Sequence, residues 1–197
     1  MSISRQTLTI VIVTFKSEKV IDNCIKSISD QIKIIVVDNS NDQNFKDSLE
    51  KKYKNVECIL SSSNLGMGSG NNLGLNNVKT DYALILNPDV ILQENTISEI
   101  INESKKIESF AVLAPLSEDD NYPNYKIKQE DKKNLNNLNP FKVKSVDGFA
   151  MLLNLKKINQ IDDFRNKKYF DENFFMYLEK IFIKIFLISK IIYLILE

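Results

Sequence analysis

The 197-residue sequence contains no histidine. This absence excludes catalytic triads and metal sites that depend on histidine side chains. An excess of positive charge is also missing, because Lys plus Arg and Asp plus Glu both number 26. Proteins that bind nucleic acid usually have a basic excess, so we predict that no nucleic acid is a partner of this chain.

Cysteine is nearly absent. Cys24 and Cys58 lie in apolar runs, and their spacing fits neither a CxxC motif nor a metal site, so both are predicted to be buried free thiols. The N-terminal residues MSISRQ lead directly into a strand-like run and do not resemble a secretory signal. These features predict a cytoplasmic, reducing environment.

The length of the chain suits one α/β domain with a sizeable core. Short apolar runs alternate with segments of helical periodicity, a pattern typical of a mostly parallel, Rossmann-like sheet flanked by helices. Ser17 is predicted to cap the first helix, and a later helix is predicted at 94–107. Strands are predicted at 7–15, 32–40, 56–60, 82–90 and 110–115, with strand character returning at 145–155.

Polar residues follow the predicted strands. In parallel α/β sheets, ligands bind beyond the carboxyl ends of the strands. We therefore expect one site to include the polar residues at these ends: Thr14, Asp38, Asn64, Asn87 and Asp89.

Glycine is scarce, but four of the five glycines fall in NLGMGSGNNLG. One interpretation is a loop and helix start whose backbone N–H groups face a phosphate or sugar. The other is a flexible turn. A dinucleotide site is disfavoured, because the GxGxxxG spacing is wrong and the segment follows the third strand.

Each of the two aspartates also has two interpretations. Asp89, stiffened by the preceding Pro88, can hold Mg²⁺ or Mn²⁺, or it can open a turn or cap the next helix. Asp38 can bind a nucleobase or ribose, or it can form an Asx turn.

Six motifs together resemble family 2 glycosyltransferases of the bacterial polysaccharide type, close to rhamnosyltransferase-like members. They occur in order over residues 7–179: VIVTF, VVDNS, NLGMGSGNNLGL, LILNPDV, VDGFAMLL and FDENFFMYLE. The resemblance implies a GT-A fold and an inverting transfer from a dTDP- or UDP-sugar. It also implies a saccharide or lipid-linked acceptor, polysaccharide synthesis for the cell envelope, and peripheral contact with the inner face of the cytoplasmic membrane.

The resemblance also implies a role for each matching residue. Asp89 would bind Mg²⁺ or Mn²⁺, Asp147 would lie beside the donor sugar or acceptor, and Glu179 falls in the acidic pair that supplies the general base. The residues expected to bind the nucleotide and donor are Thr14, Phe15, Asp38, Asn64, Gly66, Gly70, Asn71 and Asn87.

The acidic pair is incomplete, because Glu179 is followed by Lys180 where the family usually has aspartate. An alternative function is therefore a catalytically inactive module that binds nucleotide sugars. A sugar nucleotidyltransferase is a weaker alternative, because VIVTFKSEKV lacks a glycine-rich basic loop.

The predicted transferase domain spans 1–180 and includes a long surface loop at 117–144. The apolar tail at 181–197 has three interpretations. The first is a membrane-spanning helix, although the tail falls short of about 20 apolar residues. The second is a helix on a membrane or partner surface. The third is a truncated or frame-shifted end of the chain.

Overall fold

The computed structural model describes residues 3–107, 109–115, 125–126, 141–143, 145–160, 169–172, 185–188 and 194–196. A short 3-10 helix at Arg5–Thr7 precedes the first strand. The helices are α1 (Ile21–Lys26), α2 (Gln43–Lys52), α3 (Gly66–Asn76), α4 (Thr96–Ser104) and α5 (Leu155–Ile158). The strands are β1 (Leu8–Thr14), β2 (Lys33–Asp38), β3 (Val56–Leu60), β4 (Tyr82–Leu86), β5 (Val90–Leu92), β6 (Val112–Pro115), β7 (Tyr125–Lys126), β8 (Phe141–Val143), β9 (Ser145–Val146), β10 (Ala150–Asn154), β11 (Ile185–Ile188) and β12 (Leu194–Leu196).

One large sheet organises the described part of the chain, with strand order β3-β2-β1-β4-β10-β6-β11-β8. β1, β2, β3 and β4 run parallel to one another, whereas β10 is antiparallel to both β4 and β6. β11 is parallel to β6 and antiparallel to β8. Small two-stranded sheets join β12 to β5 and β7 to β9. The predicted mostly parallel sheet is thus confirmed, with antiparallel strands at its centre and far side.

Helices cover both faces of this sheet. All seven residues of β1 are buried, as expected for a central strand with no solvent-facing side. Successive β1 side chains alternate between faces, so Ile10 and Ile12 join one core cluster while Val11 and Val13 join clusters on the other face. The first cluster includes side chains of α1, α2 and α4, and the opposite face receives α3 and α5.

Two sequence predictions at element ends were wrong. The predicted strand at 82–90 is two strands, because Pro88 cannot donate to a β-ladder and the chain turns where Val90 N donates to Asn87 O (3.2 Å). Ser17 does not cap α1, whose N-cap residue is Val20. The Ser17 hydroxyl instead bonds to the backbone of Phe15.

Parts of the predicted loop and tail form strands. β7 and β8 lie within 117–144, and the other residues of that predicted loop lie outside the described residues. In the tail, β11 inserts between β6 and β8, and β12 pairs with β5. Within the described segments, no helix combines the length and apolar character needed to cross a bilayer. The domain boundary at 180 stays a prediction.

Side chains of α2 bind the backbone of the edge strand β3. Cys58 N donates to Glu50 Oε1 (2.8 Å), and Lys46 Nζ donates to Cys58 O. Lys46 and Glu50 also form an ion pair (3.3 Å). These bonds satisfy edge groups that would otherwise be open to pairing with another chain. The hydrogen bond from Cys58 is the main reason that the pKa of Glu50 lies below its ordinary value.

We expect Glu50→Gln to destabilise the fold by about 1 kcal/mol at neutral pH, because it removes a charge-assisted hydrogen bond. A carboxyl pKa that is lower in the folded state adds stability above its unfolded pKa, and this contribution is lost as the pH falls. The difference between wild type and Glu50→Gln should therefore shrink toward about pH 3. Chemical denaturation of wild type and Glu50→Gln at neutral pH and at about pH 3 measures this difference in stability.

The matched control is Glu57→Gln on the same strand. Glu57 pairs with Lys33 (3.0 Å), and both side chains are about half exposed, so this variant should change stability little. Equal losses for Glu50→Gln and Glu57→Gln would contradict the edge-strand role of Glu50.

Candidate functional site

The carboxyl ends of four neighbouring strands meet at one rim of the sheet. The register pairs Thr14 with Asp38 and Asp38 with Leu60, and β4 ends at Leu86 beside Ile12. β10 is antiparallel to β4 and pairs Ala150 with Leu86, so residues 147–149 approach the same rim from the other direction. The strand ends predicted to share a site are therefore adjacent.

Asp38 lies at the centre of a buried hydrogen-bond network. Its Oδ1 accepts from Thr14 Oγ1 (3.3 Å) and Ser40 N (3.1 Å), and its Oδ2 accepts from Asp42 N (2.9 Å). Thr14 and Asp38 are each 1% exposed. The bond to Ser40, two residues on, is the Asx turn that the sequence left as one interpretation. Binding of a nucleobase by Asp38 stays a prediction.

Asn39 joins the ends of β1 and β2 to the start of α3. Its backbone N–H donates to Thr14 O (2.8 Å), and its Nδ2 donates to Gly66 O (3.0 Å). Asn64 Oδ1 accepts from Gly66 N (3.1 Å). Gly66 has φ 74°, a left-handed conformation that favours glycine. Sequence reasoning missed Asn39, although its place directly after Asp38 at a strand end was a usable signal.

Two of the clustered glycines have a packing role. A Cβ on Gly74 would lie 2.4 Å from Val11 Cγ1, and one on Gly70 would lie 2.7 Å from Val13 Cγ1. α3 therefore lies too close to β1 for larger residues at these two positions. The predicted loop is a helix over most of its length, so a plain flexible turn is wrong. Donor binding by Gly66 and Gly70 stays a prediction.

Several buried side-chain oxygens near the rim have no hydrogen-bond partner among the described residues. Such atoms are costly unless a ligand, water or ion satisfies them. Those at the rim and in α3 are Asn39 Oδ1, Asn71 Oδ1, Asn87 Oδ1 and Asp89 Oδ1. Thr96 Oγ1, at the start of α4, has the same status. This set is the main chemical signal of the site.

The backbone of Asn87 is held firmly at the end of β4. Its N–H donates to Phe149 O (2.9 Å), and its carbonyl accepts from Val90 N and from Cys24 Sγ (3.6 Å). Burial, with a smaller effect of the Asp89 charge, raises the pKa of Cys24 to about 12. The buried Cys24 is therefore a neutral thiol, as expected from the sequence, and Asp89 lies close enough to affect it.

Asp89 lies in the turn between β4 and β5, which is one of the interpretations that the sequence left open. The helix that follows, α4, has Asn95 as its N-cap residue, so capping by Asp89 is not seen. The described residues contain no group of three or more Cys, Asp or Glu that could hold a metal. Mg²⁺ and Mn²⁺ sites at diphosphates need only one or two carboxylates, because water and phosphate supply the other ligands. The unpartnered Asp89 Oδ1 therefore fits such a cation.

The loop after β1 exposes an aromatic ring. Phe15 is 48% exposed, and Lys16 Nζ lies 5.5 Å from its ring centroid. Lys16 has φ 53°, and its N–H donates to Ser40 Oγ (2.7 Å), which ties the β1 loop to the β2 loop. The ring is thus presented at the rim by a fixed backbone.

The two predicted catalytic residues are placed differently. Asp147 is exposed and lies two residues before Phe149, which bonds to Asn87 at the rim. Glu179 lies outside the described residues, so its predicted role as general base stays a prediction.

In α/β proteins, polar ligands bind at sites of this kind, beyond the carboxyl ends of the parallel strands. The family model "Glycosyl transferase family 2" matches residues 9–186. The chain therefore belongs to glycosyl transferase family 2, and the resemblance of its motifs to that family is confirmed.

One curated relative is the low-salt glycan biosynthesis hexosyltransferase Agl10 of Haloferax volcanii. It is 30% identical over 112 residues, which are 55% of this chain and 36% of the relative. The chain thus spans about a third of the length of that relative.

Solved structures confirm the GT-A fold. S. aureus TarS 1–349 matches with a TM-score of 0.68 and 16% identity, covering 95% of this chain and 59% of TarS 1–349. TarS 1–349 has also been solved with UDP and with UDP-GlcNAc. GalNAc-T7 with UDP, GalNAc and Mn²⁺ matches with a TM-score of 0.72 and 13% identity, covering 93% of this chain and 42% of GalNAc-T7.

Proposed function

We propose that this chain belongs to an inverting glycosyltransferase that moves a sugar from a UDP- or dTDP-sugar to a saccharide or lipid-linked acceptor. The proposal rests mainly on the unpartnered oxygens at the carboxyl rim, because a nucleotide sugar and its cation offer donors and positive charge at such positions. Membership of family 2 supports it.

The nucleoside binds between the β1 and β2 loops in this proposal. The exposed ring of Phe15 offers a stacking surface for the base, and Asp38 and Thr14 form the polar floor beneath it. The network around Asp38 fixes both loops before the ligand arrives, which lowers the ordering cost of binding.

The diphosphate and sugar lie toward the start of α3 and the end of β4. The N-terminus of a helix presents free N–H groups and a partial positive charge, which favour phosphate. Asn64 and Asn39 fix that terminus through Gly66, and Asn71 offers its unpartnered amide oxygen to a ligand hydroxyl.

Asp89, assisted by the amide oxygen of Asn87, would hold Mg²⁺ or Mn²⁺. The cation, when bound, supplies positive charge that stabilises the departing nucleoside diphosphate. Both side chains have an oxygen without a hydrogen-bond partner within the described structure, and the backbone of Asn87 is fixed on both sides. The Mn²⁺ in the GalNAc-T7 structure supports the choice of metal.

A carboxylate must take the proton of the acceptor hydroxyl as it attacks the anomeric carbon. Glu179 is the proposed base, and Asp147, exposed at the rim, is proposed to lie beside the donor sugar or acceptor. The role of the Haloferax volcanii relative in glycan biosynthesis supports a polysaccharide product. Synthesis at the inner face of the cytoplasmic membrane is part of the same proposal.

Lys180 after Glu179 favours a second candidate, a module that binds nucleotide sugars without turning them over. Titration calorimetry with UDP- and dTDP-sugars plus Mn²⁺, together with a donor-hydrolysis assay, separates the two. We expect saturable binding and slow hydrolysis to nucleoside diphosphate. Binding without hydrolysis favours the module, and no binding of any donor contradicts both candidates.

A further inference from the structure

The buried side-chain amide of Asn72, in α3, makes all of its hydrogen bonds to a segment that is distant in the sequence. Asn72 is 2% exposed. Its Oδ1 accepts from Tyr169 N (2.9 Å) and Phe170 N (2.9 Å), and its Nδ2 donates to Phe170 O (2.9 Å) and Glu172 Oε1 (3.3 Å). A primary amide has two acceptor positions and two N–H donors, so no capacity is left over.

The segment at 169–172 has a buried half and an acidic half. Tyr169 and Phe170 are buried, and the Tyr169 hydroxyl bonds to Asn159 Oδ1 (3.1 Å). Asp171 and Glu172 are exposed. The buried half is thus anchored to α3 by Asn72, and the anchor determines where the two carboxylates emerge.

The same helix contributes to the rim. α3 begins at Gly66, which Asn39 and Asn64 bind, and Asn71 next to Asn72 has an unpartnered buried oxygen. Consecutive residues on a helix point in directions about 100° apart, so the side chains of Asn71 and Asn72 can contact different parts of the protein. α3 therefore links the proposed donor site to the acidic segment through one rigid element.

We propose that Asn72 is a positioning residue, which fixes the acidic segment at 169–172 relative to the donor-binding end of α3. The inference deepens the proposed glycosyltransferase function and rests on it. Asparagine is required because aspartate would keep the two acceptor bonds but lose both donors and place a carboxylate against Phe170 O and Glu172. An alanine would remove the bonds that Asn72 makes to two N–H groups and one carbonyl of the segment.

The test compares Asn72→Ala and Asn72→Asp with Asn77→Ala. Asn77 is the exposed C-cap residue of the same helix, and its side chain makes one bond, to Leu73 O (2.9 Å). Three quantities are measured: amide hydrogen exchange at 169–172, donor affinity by calorimetry, and kcat for donor hydrolysis. The probes are UDP-glucose, UDP-N-acetylglucosamine and dTDP-rhamnose with Mn²⁺, and kinetics use the one that binds wild type most tightly.

We expect amide exchange at 169–172 to accelerate roughly tenfold in both Asn72 variants. We expect kcat to fall about 100-fold, because Glu179, the proposed base, follows this segment by seven residues in the sequence, and small misplacements of groups near a reacting centre have effects of this size. Donor affinity should change less than about twofold, because Asn72 makes none of the proposed donor contacts. Asn77→Ala should match wild type in all three measurements.

Unchanged exchange at 169–172 in both variants would overturn the inference. A fall in donor affinity as large as the fall in kcat would also overturn it, because Asn72 would then act on donor binding. If Asn72→Ala does not fold, the same measurements on Asn72→Asp test the inference. If neither variant folds, Asn72 has a purely structural role and the inference is overturned. Wild type that binds no donor contradicts the proposed function instead, and the exchange measurement still decides whether Asn72 anchors the segment.

Discussion

Asp89→Ala should abolish the Mn²⁺-dependent part of donor binding while the protein stays folded. A cation at a diphosphate contributes several kcal/mol, so we expect affinity in Mn²⁺ to fall about 100-fold or more. Stability should not fall, because the substitution removes a buried carboxylate oxygen that has no hydrogen-bond partner among the described residues. Calorimetry with and without Mn²⁺ measures the first effect, and thermal denaturation measures the second.

Two companion variants isolate the charge of Asp89. Asp89→Asn keeps the shape of the side chain but not its charge, so it should lose most of the Mn²⁺ dependence as well. Glu94→Ala removes an exposed carboxylate five residues along the same segment and should bind donor like wild type. Donor affinity in Mn²⁺ that is the same for wild type and Asp89→Ala would show that the metal assignment is wrong.

Gly74→Ala should destabilise the fold strongly. In an ordinary helix interior, this change stabilises by about 1 kcal/mol. Here the new methyl group would lie 2.4 Å from Val11 Cγ1, in a fully buried strand with no room to move. Overpacking of this kind costs about 1–3 kcal/mol, so the usual sign should reverse. Urea denaturation of the variant and wild type measures the difference.

The control for this effect is Gly148→Ala, whose Cβ would meet Met151 Cε at an ordinary 3.7 Å and nothing closer among the described residues. This variant should have the stability of wild type within about 0.5 kcal/mol. A Gly74→Ala variant as stable as Gly148→Ala would mean that α3 does not lie this close to β1.

Much of the sheet could be predicted from the sequence because its strands are buried on both faces. β3 was predicted to the residue at Val56–Leu60, and the predicted runs at 7–15 and 32–40 contain β1 and β2. Continuous β-branched runs produce this signal without knowledge of neighbours. The break at Pro88 was missed because the apolar pattern continues across it into β5.

The convergence of the strand ends at one rim could be predicted, but the contacts made there could not. Parallel topology alone brings Thr14, Asp38 and Asn87 to one rim. The partners of Asn72 lie 97 and 98 residues away in the chain, and no local pattern encodes such a pairing. The asparagine doublet inside an otherwise small and apolar helix was the available signal.

The glycines show a different limit. The sequence has the same cluster of glycines whether these residues are needed for close approach of a phosphate or for close packing of a helix on a strand. The distinction needs the distances from Gly70 and Gly74 to the valines of β1, which only the folded arrangement provides. The left-handed φ of Gly66 is likewise a property of the turn that Asn64 and Asn39 form around it.

A crystal structure of this chain with UDP and Mn²⁺ tests the proposed site most directly. We expect the base beside Phe15 and Asp38, the diphosphate at the start of α3, and Mn²⁺ on Asp89. The cavity that Lys79 and Lys156 line lies at the opposite end of β4 and is an alternative binding site for the nucleotide. UDP bound there, or at the rim with Mn²⁺ remote from Asp89, would contradict a single site for diphosphate and cation at the carboxyl ends of the strands.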